Sequence, residues 1–134
     1  MLFFSMKISA QVTIASRQQF QNIENTEKNY INRPLKVFLK DLKLEIKSVS
    51  YIKEDESGPN RIILRFYNRE EYNKLRQQKI MPARITVYFM SDTATKFVFD
   101  KLKQYGTIEE KPTDLFKELK IQKLVSTNNY EMKF

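Results

Sequence analysis

Residues 7–15 alternate cleanly, with Ile8, Ala10, Val12 and Ile14 on one side and Lys7, Ser9, Gln11 and Thr13 on the other. A period of two marks a half-buried strand. Ser16 with Gln19 then forms a capping box, which starts a helix that buries Phe20, Ile23 and Tyr30 and stops before Pro34. Residues 35–39 and 42–52 read as two strands or one long bent strand. Between 54 and 60, Ser57-Gly58-Pro59 is the strongest turn signal in the chain. Alternation returns over 61–67, and Asn68 with Glu71 makes a second capping box ahead of Tyr72 and Leu75. Residues 83–90 alternate again. Residues 91–106 fit a helix capped by Asp92 and closed by Gly106, although Phe97-Val98-Phe99 also suits a strand. A short helix over 113–120 and a hairpin over 121–134, turning at Asn128-Asn129, complete the pattern.

Val12 through Ile23 lines up with Leu64 through Leu75: strand, polar cap, Arg, two acids or amides, an aromatic, then an aliphatic three positions later. Two strand–helix–strand units at a period of about fifty residues explain this, as does common capping chemistry arising twice. Two α+β architectures follow. One is a mixed, partly open β-barrel with two or three helices, which uses all seven candidate strands. The other is a split βαβ (ferredoxin-like) sheet with a C-terminal extension. At 134 residues, the chain fits a single domain over 1–134, with residues 1–5 as a possible extension ahead of Met6.

Composition removes most chemistry. With no Cys and no His, there is no thiol nucleophile, disulfide, zinc site of the usual kind or His-based proton transfer. Two Gly leave no glycine-rich loop to cradle nucleotide phosphates. The acidic groups Glu54-Asp55-Glu56, Glu70-Glu71 and Glu109-Glu110 fall in a turn, in a helix first turn and before Pro112, where structure alone accounts for them. No enzymatic activity, cofactor or metal is expected. Residues 1–4 are too short for a signal sequence, and no stretch nears the roughly 20 apolar residues of a membrane span, so a cytoplasmic location is expected.

The formal net charge is +8, from 24 Lys and Arg against 16 Asp and Glu. Residues 61–105 hold ten of the basic and four of the acidic side chains, so most of the excess sits in the middle third. If the strands neighbour one another, alternation turns Lys36, Lys40, Arg61, Arg65 and Arg84 to one face around Phe38, Tyr67 and Tyr88, with Arg69 close by. Cations hold phosphates and flat rings stack on bases, at about 1–3 kcal/mol per base, so such a face suits single-stranded nucleic acid. The plainer alternative makes the three rings a second core layer with the cations at its rim. RNA is the expected partner, bound without chemistry. A protein-interaction or antagonist module docking on an acidic partner is the alternative, and a membrane-surface role for Lys96, Phe97, Val98, Lys101, Leu102, Lys103 and Tyr105 is a third.

Arg61-Ile62-Ile63-Leu64-Arg65-Phe66-Tyr67, leading into Asn68-Arg69-Glu70-Glu71-Tyr72, resembles part of an RNA-recognition motif. With Phe66 as the last position of its octamer, the stacking positions fall on Arg61 and Ile63, so stacking passes to Tyr67 or other rings. Residues 12–21 and Ile80-Met81-Pro82-Ala83-Arg84-Ile85-Thr86-Val87-Tyr88, with the size, basic balance and lack of Cys and His, resemble PrgU-type accessory proteins of Gram-positive pheromone-inducible conjugative plasmids. That resemblance implies a PUA-like barrel, RNA binding and restraint of conjugation-gene expression.

Overall fold

In the computed structural model, the described residues are Ile23, 25–127 and the backbone of Tyr130 and Glu131. The fold is α+β, and its centre is a five-stranded open antiparallel sheet. The strands are β1 (Ser48–Ile52), β2 (Arg61–Arg65), β4 (Arg84–Phe89), β5 (Tyr105–Ile108) and β6 (Ile121–Thr127), in the order β5-β1-β2-β4-β6. A separate two-stranded ribbon pairs β3 (Ile80–Met81) with β7 (Tyr130–Glu131). Three α-helices lie wholly within the described residues: α1 (Leu35–Asp41), α2 (Arg69–Gln77) and α3 (Thr93–Phe99).

Alternation decides the inner face. Val49 and Tyr51, Ile62 and Leu64, then Ile85, Val87 and Phe89 are all buried, as the period-two pattern requires. On β6 the pattern breaks at a register shift, where Tyr88 pairs with Lys123 but Phe89 pairs with Ile121. This bulge adds one residue, so Ile121 and Leu124 both reach the core while Gln122 and Lys123 stay exposed. Leu35 and Phe38 of α1, Phe99 of α3, and Phe116 and Leu119 cover the inner face. Phe116 stacks on Phe89 at 6.1 Å and meets Phe99 at 5.5 Å. Each such side chain contributes about 1.5–3 kcal/mol by leaving water.

Several expectations need correction. Residues 35–39 form a helix, not a strand. Leu35, Phe38, Leu39 and Leu42 follow the helical spacing of three and four, and Pro34 caps the helix in an extended conformation. The amides of Leu35 and Lys36 donate to the Leu119 and Lys117 carbonyls at 2.9 Å, so tertiary contacts satisfy this helix start. The expected strand over 42–52 is confined to Ser48–Ile52. The helix after Asp92 ends at Phe99, and Gly106 lies within β5 rather than closing the helix. A Cβ at Gly106 would stand 2.5 Å from the Tyr51 hydroxyl, because the Tyr51 ring lies across the glycine opposite it. Over 113–120 the chain makes successive i to i+3 turns, not a helix. At the C-terminal end β6 pairs with β4 and β7 with β3, and the turn expected at Asn128-Asn129 lies outside the described residues.

The strand expected over 7–15 and the Ser16–Gln19 capping box lie outside the described residues. Of the helix expected after them, Ile23, Asn25 and Thr26 are described and helical, with Ile23 buried.

Candidate nucleic-acid interface

The cross-strand registers arrange the outer face of the sheet in three rows. The first runs Tyr105, Ile52, Arg61, Tyr88, Lys123. The second runs Thr107, Ser50, Ile63, Thr86, Val125. The third runs Ser48, Arg65, Arg84, Thr127. Four inter-strand steps of about 4.8 Å make the first row about 19 Å long.

One end of this face is already occupied by the chain itself. The loop between β1 and β2 turns tightly, with Asp55 and Gly58 exchanging backbone hydrogen bonds. Gly58 at φ 157° takes a conformation that side chains resist, and it lies against Arg61 and Tyr88. Arg61 donates to the Pro59 carbonyl and the Ser57 hydroxyl, both at 2.9 Å, and stands 3.6 Å from Asp55. Its side chain keeps only 12% exposure. Arg61 therefore fastens the loop. The Ser57 hydroxyl and amide, followed by Arg61, hold the Asp55 carboxyl below its ordinary pKa.

The other end is different. Arg65 and Arg84 are direct cross-strand neighbours, and among the described residues neither has a carboxylate partner. Arg65 Nε donates to Ser50 Oγ at 2.9 Å, and Ser50 meets the Thr107 hydroxyl at 3.3 Å. Burial lowers the Arg65 pKa, with Tyr72 opposing the shift and the like charge of Arg84 adding to it. Beside this pair, the capping box of α2 forms with both hydrogen bonds, Glu71 N to Asn68 Oδ1 at 2.8 Å and Asn68 N to Glu71 Oε1 at 3.0 Å. It directs the helix so that Asn68, Arg69 and Tyr72 join Ser48, Ser50, Arg65, Tyr67, Thr107 and Glu109 around a cleft of about 250 Å³. A neighbouring cleft of about 420 Å³ adds Lys47.

The nine residues singled out from the sequence thus separate. Arg65, Arg84 and Tyr88 share the outer face, and Arg69 and Tyr67 border the cleft at its edge. Tyr67 is 9% exposed, which leaves little ring to stack. Arg61 is on the face but committed to the loop. Phe38 is a correction: it is 2% exposed in the core, edge-on to Tyr30 at 5.1 Å. Lys36 and Lys40 are also displaced, because they ride on α1 in the helix layer, with Lys36 paired to Glu118 at 3.0 Å. A strand would have turned these three outward, whereas a helix buries Phe38 with Leu35.

Sequence reasoning set Tyr105, 75% exposed at the β5 edge, on a membrane-surface helix instead of this face, and missed Lys123. Tyr105 fell inside the expected helix, although Tyr105-Gly106-Thr107-Ile108 carries strand-forming residues around a glycine poorly suited to helix. Among the described residues no group of three or more Asp or Glu could hold a metal ion, and no helix is long and apolar enough to cross a membrane. A separate cleft of about 530 Å³ mixes Lys53 and Lys96 with Glu54, Asp92 and Asp100, and the Asp92 carboxylate there caps α3 through the Thr95 amide at 2.8 Å. No protein-family model matches the chain, and no curated protein or solved structure matches it either.

Proposed function

We propose that this protein is a non-catalytic nucleic-acid-binding regulator that prefers RNA and acts by occupying a transcript segment. The observation that carries the reading is the outer sheet face. There, Arg65 and Arg84 stand side by side with no carboxylate partner among the described residues, on the same surface as Tyr88, Tyr105 and Lys123. Backbone phosphates would lie along the arginines and bases against the tyrosines. The net charge of +8 supports the same partner class by drawing polyanions to the surface. The resemblance to PrgU-type accessory proteins belongs to the same proposal, with its PUA-like relation, its cytoplasmic setting and its restraint of gene expression. In that relation the open sheet and the β3–β7 ribbon would be two sides of one partly open barrel.

Filter binding with single-stranded RNA, duplex RNA and DNA over a salt series tests the proposal. Three or four phosphate contacts give a log K against log salt slope of about −2 to −3 for a single strand. R65M and R84M should each flatten that slope, whereas K36M should leave it unchanged. Weak binding to all three nucleic acids, insensitive to these substitutions, rejects the proposal. Binding to one acidic protein at fixed stoichiometry, indifferent to competitor RNA, moves the reading to a protein-interaction or antagonist module.

A further inference from the structure

We propose that Arg65 and Arg84 form a discrete oxyanion subsite that takes a single phosphate group between their guanidinium groups. The inference deepens the RNA-binding reading and rests on it for the phosphate's carrier, the phosphodiester of a bound strand.

Two arguments converge. The first is the cost of the arrangement. Like charges directly opposite on one face of a sheet destabilise the pair, and Arg65 and Arg84 are matched in register on β2 and β4. Both are half-buried, where water screens the repulsion less. The second is the contrast with Arg61, four residues earlier on the same strand and face. Arg61 meets a carboxylate, a hydroxyl and a carbonyl from the β1–β2 loop. The fold thus supplies an ion-pair partner to the arginine at one end of β2 and, among the described residues, none to the pair at the other.

The local chemistry fits a tetrahedral oxyanion. With its Nε committed to Ser50, Arg65 is held in place and its two terminal nitrogens remain to donate. Arg84 offers a second fork from the next strand, and two forks can share the oxygens of one phosphate. Glu109, which lines the same cleft as Arg65 but not as Arg84, follows β5, two strands from Arg65 and three from Arg84 in the sheet order. An anion therefore avoids it by lying toward β4.

Arginine Nε–H nuclear magnetic resonance on the whole chain tests the subsite. Inorganic phosphate is titrated at constant ionic strength, in parallel with a short uridine oligonucleotide and with phosphate-free uridine. The expected result is a saturable shift of the Arg65 and Arg84 signals with phosphate, displaced by the oligonucleotide, while Arg61 is unmoved and uridine has no effect. R84M should abolish the Arg65 response and weaken oligonucleotide binding about tenfold. The wild-type titration decides alone if R84M does not fold. A small linear drift, equal at Arg61 and Arg65, means an adventitious ion only and overturns the subsite. Oligonucleotide binding that ignores phosphate and R84M also overturns it, while leaving the RNA reading standing. Saturable phosphate binding without oligonucleotide binding upholds the subsite for free phosphate and removes the RNA reading.

Discussion

Thr95 is 0% exposed on α3, and its hydroxyl is buried with no hydrogen-bond partner among the described residues. A buried hydroxyl that has left water without compensation costs about 1–3 kcal/mol. T95V keeps the shape and removes the polar atom, so chemical denaturation should show a gain of about 1 kcal/mol. Tyr30 works in the opposite sense. Its hydroxyl donates to Asp41 at 2.7 Å, and burial, followed by that hydrogen bond and the aspartate's charge, pushes its pKa up to about 12. An acid whose folded pKa lies above its unfolded value of about 10 stabilises the fold fully below pH 10. That contribution is lost as the pH rises toward 12, since the unfolded chain then sheds the proton more readily. Thermal melts should therefore show stability falling between about pH 10 and 12, and Y30F should show a shallower fall.

Among the elements, α2 matters most to the candidate interface. It has nine residues and none is fully buried, so its own packing holds it weakly. The Asn68–Glu71 capping box supplies much of what keeps it in place and, through it, fixes Arg69 and Tyr72 beside Arg65. N68A should cost about 1 kcal/mol in denaturation and should weaken RNA retention more than a capping change at α3, such as D92N. This element was legible because its signals are local: a cap, a reciprocal acid and an aromatic, all within five residues. The β2 and β4 faces were legible for the same reason, their alternation being unbroken. Residues 35–42 were not, because Leu35, Val37 and Leu39 satisfy a strand while Leu35, Phe38 and Leu42 satisfy a helix. The choice rests on the Leu119 and Lys117 carbonyls that receive the first helical amides, and these lie some eighty residues away in the chain. Likewise Arg65 and Arg84 were each placed outward by alternation, but their direct opposition depends on register, which no local pattern specifies.

Over the whole molecule, charge is distributed unevenly between the two ends of the outer face. The β1–β2 loop carries Glu54, Asp55 and Glu56 at the end where Arg61 is already engaged, and Glu54 and Glu56 remain exposed. Arg65, Arg84 and Arg69 lie toward the opposite end, with Lys47 next to the second cleft. The exposed loop acids therefore repel a polyanion locally, while the arginines attract it toward the α2 side, which restricts where a strand can begin. Exposed charges act over about a Debye length, 10 Å at 0.1 M salt, so the loop's repulsion reaches part but not all of a row about 19 Å long. Neutralising the two exposed acids together, as E54Q/E56Q, should tighten binding to single-stranded RNA several-fold at low salt. The gain should shrink toward nothing near 1 M, where the Debye length is about 3 Å. Asp55 must be left intact, because removing it frees the loop as well as the charge. If E54Q/E56Q binds no tighter than wild type in filter binding at low salt, the strand does not approach the loop end, and the footprint contracts to the arginine pair and the cleft beside α2.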